Sequence, residues 1–145
     1  MRLWNLTYND PRRWAEVHSI SGQPVGFWSS LRSGGTGSPR AELLGGSGEV
    51  DALVGVAADR TGCNFERTMT GAILYFRSRL EVYGAPIPRG GISGITRIPE
   101  GADERLTIWC GWSGQDGTHH SGHVEFRCTQ SHAERLEDYI RRWLC

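Results

Sequence analysis

Three imidazoles crowd one short stretch of the chain, His119, His120 and His123, with Asp116 just before them. Imidazole is the commonest transition-metal ligand, and a turn can gather three of them, so these histidines are the candidate metal ligands. The zincin signature, two histidines one helical turn apart with a glutamate between, is missing. No serine stands in a Gly-x-Ser-x-Gly elbow, and no cysteine has an evident histidine partner. Cys63, beside Gly62, Asn64 and Phe65, reads as the most loop-like thiol. Glu100, Asp103 and Glu104 share a turn with no apolar wall to raise a carboxyl pKa. The run from Leu43 and Leu44 through Gly45, Gly46, Ser47 and Gly48 precedes a helical pattern, where free N–H groups can hold a phosphate. The dinucleotide pattern is incomplete there, and no P-loop lysine follows. No residue performs an obvious reaction, and no cofactor motif is present.

The elements around the histidines are the clearest in the chain. Leu106, Ile108, Cys110 and Trp112 alternate with Thr107, Trp109 and Gly111, as in a strand with one buried face. A polar turn over 113–121 follows, then Val124, Phe126 and Cys128 repeat the alternation. Across that hairpin Cys110 and Cys128 face one another, as two small buried hydrophobes or as a disulfide. Leu136, Ile140, Trp143 and Leu144 then fall on one helical stripe. Ser131 and Glu134 have the spacing of a capping box, while Glu137 with Arg141 and Asp138 with Arg142 are i,i+4 pairs.

Earlier in the chain, Trp4, Leu6 and Tyr8 suggest a first strand. Asn9, Asp10 and Pro11 read as a cap and a proline at the first helical position, giving a short helix to about Ser19. A strand through Val17 and Ile20 is the competing reading. Val25, Phe27 and Leu31 alternate and end in a flexible Gly/Ser loop at 33–38, with a second at 45–48. Val50, Leu53, Val54 and Ala57 sit at helical spacing, with Ser47 a reasonable cap and Gly62 a reasonable terminator. From 71 to 83 the chain reads as extended, broken near Ser78. Ala72, Leu74, Phe76, Leu80 and Val82 share the core parity, leaving Tyr75, Arg77, Arg79, Glu81 and Tyr83 as one outer face. Clustered tyrosine and arginine are what interfaces favour, so these five are the candidate partner-binding residues. Residues 92–98 form another strand, and 99–104 an acidic turn.

Together these predict one α+β domain over 1–145. Its mostly antiparallel twisted sheet has five to seven strands, with one middle helix and a C-terminal helix packed on one face. At 145 residues the chain can bury a core of its own. Its formal charge is zero and its pI about 7.0, which argues against a long-range pull towards nucleic acid or an anionic membrane. All sixteen basic residues are arginine, so no lysine Schiff base is available. No basic-then-apolar leader begins the chain and no apolar run reaches membrane-spanning length, which predicts a cytoplasmic protein.

The second half resembles the immunity proteins of bacterial polymorphic toxin systems, of the wall-associated-protein immunity type. The matching stretches are 50–57, Thr70-Gly71-Ala72-Ile73-Leu74, Gly90-Gly91-Ile92-Ser93-Gly94, and Phe126-Arg127-Cys128-Thr129-Gln130-Ser131 ahead of the final helix. The resemblance covers roughly 50–144 and transfers no site residues. It implies a non-catalytic protein that binds and neutralises a cognate protein toxin. The competing expectation is a small enzyme or ligand-binding protein using the His119, His120 and His123 turn. In that reading it is metal-dependent or not, with Trp109 and Trp112 as the wall of a pocket.

Overall fold

The computed structural model describes residues 1–55 and 60–145. In chain order these form β1 (Trp4–Asn5), α1 (Pro11–Ser21), α2 (Phe27–Arg32), β2 (Ala41–Gly46), α3 (Glu49–Gly55), β3 (Thr61–Arg67) and β4 (Gly71–Ser78). There follow β5 (Glu81–Pro88), β6 (Ile92–Glu100), β7 (Asp103–Ser113), β8 (His119–Thr129) and α4 (Gln130–Trp143). The class is α+β, as expected. The sheet has eight strands rather than five to seven, in the order β1-β5-β4-β3-β2-β8-β7-β6, and all its pairings are antiparallel.

The two unforeseen strands are β2 and β3, at the centre of the sheet. The glycines at 45 and 46 belong to β2, not to a loop. A Cβ on Gly46 would lie 2.6 Å from the carbonyl oxygen of His123, so glycine lets β2 approach β8. In β3, Thr61, Cys63, Phe65 and Arg67 point to the core side while Gly62, Asn64 and Glu66 point away. Gly62 is therefore no helix terminator, and the predicted end of the middle helix at Ala57 lies outside the described residues. The 33–38 segment is tied to β3 rather than loose. Ser38 N donates to Phe65 O at 2.8 Å, and Arg67 N donates to Thr36 O at 2.7 Å.

Chain connectivity forces the sheet to curl. β5 and β6 are six strand positions apart, about 29 Å in a flat sheet at roughly 4.8 Å per step. Only residues 89–91 join them, a reach of about 14 Å even when extended. The ends must therefore swing together, with one face of the sheet concave. Its residues form one core, including Leu43, Phe65, Leu74, Ile87, Ile92, Leu106 and Phe126. Helix α4 lies in this hollow, burying Ala133, Leu136 and Ile140. It reaches both sides: Tyr139 packs 6.5 Å from Phe65 on β3, and Glu137 meets Arg97 of β6 at 3.2 Å. Gly90 N closes the seam by donating to Leu144 O at 2.8 Å.

The convex face carries a second, smaller core where Val17 of α1 packs with Trp4, Leu6 and Ile73. Helix α1 starts as its sequence demands, with Asp10 accepting from Arg12 N at 2.9 Å and proline at the first position. The strand alternative through Val17 and Ile20 is excluded. Two expected caps are absent. Ser131 and Glu134 make no capping box, because α4 begins one residue after Thr129, whose side chain makes no cap bond. Ser47 Oγ accepts from His123 N at 2.9 Å instead of capping α3. Phe27 and Leu31 are not on a strand; they lie on the short helix α2, which begins two residues after Val25. Of the two ion pairs expected on α4, Glu137–Arg141 is present at 2.7 Å, whereas Arg142 lies over the Trp143 ring. Among the described residues, no helix is long and apolar enough to cross a membrane.

Two measurements check this packing. Leu136→Ala removes a fully buried contact and is expected to cost about 2–5 kcal/mol in urea unfolding. Leu80→Ala, at a residue 92% exposed, is expected to stay within about 0.5 kcal/mol. The second concerns acid. Arg97 holds Glu104 below the usual carboxylate range through a 2.6 Å hydrogen bond, and Arg141 and Arg97 do the same for Glu137. A depressed carboxyl pKa stabilises the fold above the ordinary value and loses that contribution as pH falls through it. Glu104→Gln is therefore expected to lower Tm at pH 7, with the gap to the parent closing as pH falls below the ordinary glutamate value of about 4.3.

Candidate functional site

The three histidines do not converge. The hairpin turn is shorter than expected, and all three sit on β8. His120 shares the concave side with Val124 and stacks on Trp112, ring centroids 5.2 Å apart. His119 and His123 point the other way, and His123 packs 5.1 Å from Trp109. His119 and His123 are four residues apart on one strand, about 13 Å, whereas a metal needs each donor nitrogen within about 2.1 Å. Among the described residues no group of three or more His, Cys, Asp or Glu is placed to hold a metal ion. Asp116 accepts from Thr118 N at 2.9 Å within the turn, and that bond lowers its pKa.

The cysteines are corrected too. Cys110 lies opposite Gly122, and Cys128 opposite Glu104. The two thiols are thus offset by six residues, about 20 Å along the hairpin, and all four cysteines are free. Cys63 is not a loop residue; it lies on β3 at 3% exposure, where burial drives its thiol pKa far up. Burial also pushes Cys110 up to about 12.

The expected face of Tyr75, Arg77, Arg79, Glu81 and Tyr83 is split between the two sides of the sheet. β4 and β5 are joined by only Arg79 and Leu80, so Ser78 pairs with Glu81, Arg77 with Val82 and Phe76 with Tyr83. Directly paired residues share a face. Tyr75 and Arg77 therefore lie on the convex side, and Glu81 and Tyr83 on the concave side. Tyr83 stacks on Phe76 at 5.7 Å and donates to Glu81 at 2.5 Å, a bond that raises the phenol pKa and lowers the carboxyl. Tyr75, half-buried against α1, is pushed up to about 12 by desolvation. Arg79 occupies the turn with φ 54°, in the left-handed region.

The surface carries three further features beside the two cores. The first is α2, which buries none of its six residues. Phe27, Trp28 and Leu31 on it are 70%, 75% and 58% exposed, and the two rings meet edge to face at 5.5 Å. Contiguous exposed apolar side chains of this kind are also what contact surfaces are built from. Beside them, Ser29 and Arg32 of the same helix line a cleft with Arg67, Arg89, Arg142 and Trp143. The second is a cleft of about 600 Å³ where Trp112 and His120 face Trp4 and Glu16. Trp112 Nε1 is buried there without a hydrogen-bond partner, and Trp109 points to the opposite side. The third lies between α1 and the sheet, about 660 Å³, with Trp14, His18 and Tyr75 on its walls.

The convex face beyond α1 is ionic. Arg105 and Arg127 are directly opposed, a repulsive pairing, but Glu100 reaches both, at 2.7 and 3.9 Å, and Glu125 lies 3.8 Å from Arg105. Such exposed pairs contribute little to stability and leave the face with balanced charge.

No protein-family model matches the chain, no curated protein gives a significant match, and no solved structure gives a significant match to its fold.

Thiol chemistry checks the placement of the cysteines. In native protein only Cys145, the exposed one, is expected to react promptly with a thiol reagent, and Cys145→Ser is expected to abolish that phase. The other three react on unfolding; prompt native labelling of Cys63 or Cys110 would contradict their burial.

Proposed function

We propose that this chain is a non-catalytic, immunity-type protein that works in the cytoplasm by binding and neutralising a protein toxin. The observation that carries the reading is α2: a helix with no buried residue spends two aromatic rings and a leucine on solvent. Aromatic anchors beside arginine are the composition of interface hot spots. The neighbouring Arg32, Arg89 and Arg142 favour a partner that surrounds an apolar patch with carboxylates. The resemblance over 50–144 supplies the class of partner. The contact surface is accordingly placed on α2 rather than on the five residues of the β4–β5 hairpin. Of these only Arg79 stands at the turn, next to Leu80, a residue expected in the core that is 92% exposed.

The cleft beside His120 favours a second reading, a small-ligand protein. Its unpartnered Trp112 Nε1 is a donor that a ligand oxygen would satisfy.

Co-expression with the product of the neighbouring reading frame tests the first reading. The parent is expected to restore growth, and Trp28→Ala to weaken toxin binding about 30-fold or more, the loss of about 2 kcal/mol at a hot spot, with unchanged Tm. Equal rescue by Trp28→Ala and Phe27→Ala would overturn the placement on α2, and a harmless neighbour would overturn the toxin. Loss of function on Trp112→Phe, with Trp28→Ala silent, would favour the second reading.

A further inference from the structure

The cleft between α2, the end of β3, the β5–β6 link and the last turn of α4 holds four guanidiniums and no carboxylate. Arg32 closes α2, Arg67 ends β3, Arg89 sits in the link, and Arg142 lies in the final turn of α4. Seven arginines elsewhere in the chain are matched with acids, among them Arg97, Arg105, Arg127 and Arg141. Arg12, Arg40, Arg77, Arg79 and Arg135 make no ion pair among the described residues, but they are not gathered in one cleft. The four of the cleft likewise take part in no ion pair among the described residues.

Arg67 makes the cleft more than a patch of surface charge. Its side chain is fixed on two sides: Nη2 donates to Ser33 Oγ at 2.7 Å, and the guanidinium lies 4.0 Å above the Trp143 ring. The residue is only 7% exposed. A buried charge is costly unless an opposite charge meets it, and here the fold provides only a hydroxyl and a π face. Arg142 lies over the same indole at 4.8 Å, which brings two positive groups together. Such convergence is unfavourable in the empty cleft and favourable once an anion enters. Holding the forks in place beforehand also reduces the ordering needed on binding.

We propose that this cleft is a binding site for a polyphosphate group, of the pyrophosphate class, either free or as the phosphate chain of a nucleotide. Four positive charges match the three to four negative charges of such a chain. Each planar fork suits paired phosphate oxygens. The volume, about 470 Å³, holds a phosphate chain with space to spare. Trp143 is engaged by both guanidiniums, and among the described residues no other aromatic ring lines the cleft for a base to stack on; the site is expected to read phosphate rather than base identity. It shares Arg32, Arg89 and Arg142 with the proposed docking face but is assayed with a small anion alone, so it stands or falls separately from toxin binding.

Calorimetry on the full chain at low salt tests the site with pyrophosphate, orthophosphate, citrate, ADP and GDP. Pyrophosphate is expected to bind at one site, more tightly than orthophosphate, and less tightly as salt is added. Arg142→Gln and Arg89→Gln, both on exposed residues, are each expected to weaken it about tenfold. Arg67→Gln is expected to abolish it. ADP and GDP equal to one another and to pyrophosphate would support recognition of the bare chain; both tighter than pyrophosphate but equal to each other would support a nucleotide as the source. No heat with pyrophosphate, unchanged binding in the Arg89→Gln and Arg142→Gln double variant, or citrate as tight as pyrophosphate would overturn the proposal.

Discussion

Residues 89–91 impose the constraint on which the rest of the structure depends. They join two strands that the sheet order separates by six positions, so the sheet cannot lie flat. Curling creates a concave side deep enough for a single core, and α4 fills it. The same curl brings β3 and β6 within reach of one helix, which allows Tyr139 to pack on Phe65 while Glu137 meets Arg97. It also places Arg89, in the link itself, beside the end of α4, where Arg142 and Trp143 lie. The arginine cleft is a consequence of closing the sheet.

What stays outside that closure is informative because the core is otherwise complete. α1 settles on the convex face through Val17 and Ile73, whereas α2 contributes nothing to either core. The ionic convex face balances its own charges through Glu100 and Glu125. The aromatic residues of α2 and the guanidiniums next to them have no such internal answer. Neither contributes to the packing of the two cores; binding is the role proposed for both.

The β4–β5 hairpin shows how little changes a surface. A continuous strand from 71 to 83 would line Tyr75, Arg77, Arg79, Glu81 and Tyr83 along one side. A two-residue turn puts residues whose numbers sum to an odd value opposite each other, so the parity inverts across Arg79 and Leu80. Tyr83 thereby goes to the core side with Phe76, and the outer aromatic face disappears. The break near Ser78 was legible; its length, and hence the side taken by everything after it, was not.

By itself the sequence determined the elements whose signals are local. The stripe of Leu136, Ile140 and Leu144 makes α4, the alternation through Leu106, Ile108 and Cys110 makes β7, and Asp10 with Pro11 starts α1. Each rests on a spacing of a few residues that one strand or helix can express alone. Only the tertiary structure decided that Gly45 and Gly46 belong to a central strand, that His119 and His123 turn away from His120, and that Cys110 meets Gly122 rather than Cys128. Those outcomes depend on register and on close approach between segments distant in the chain. Strand pairing fixes them, and no window of sequence around the residues contains that information.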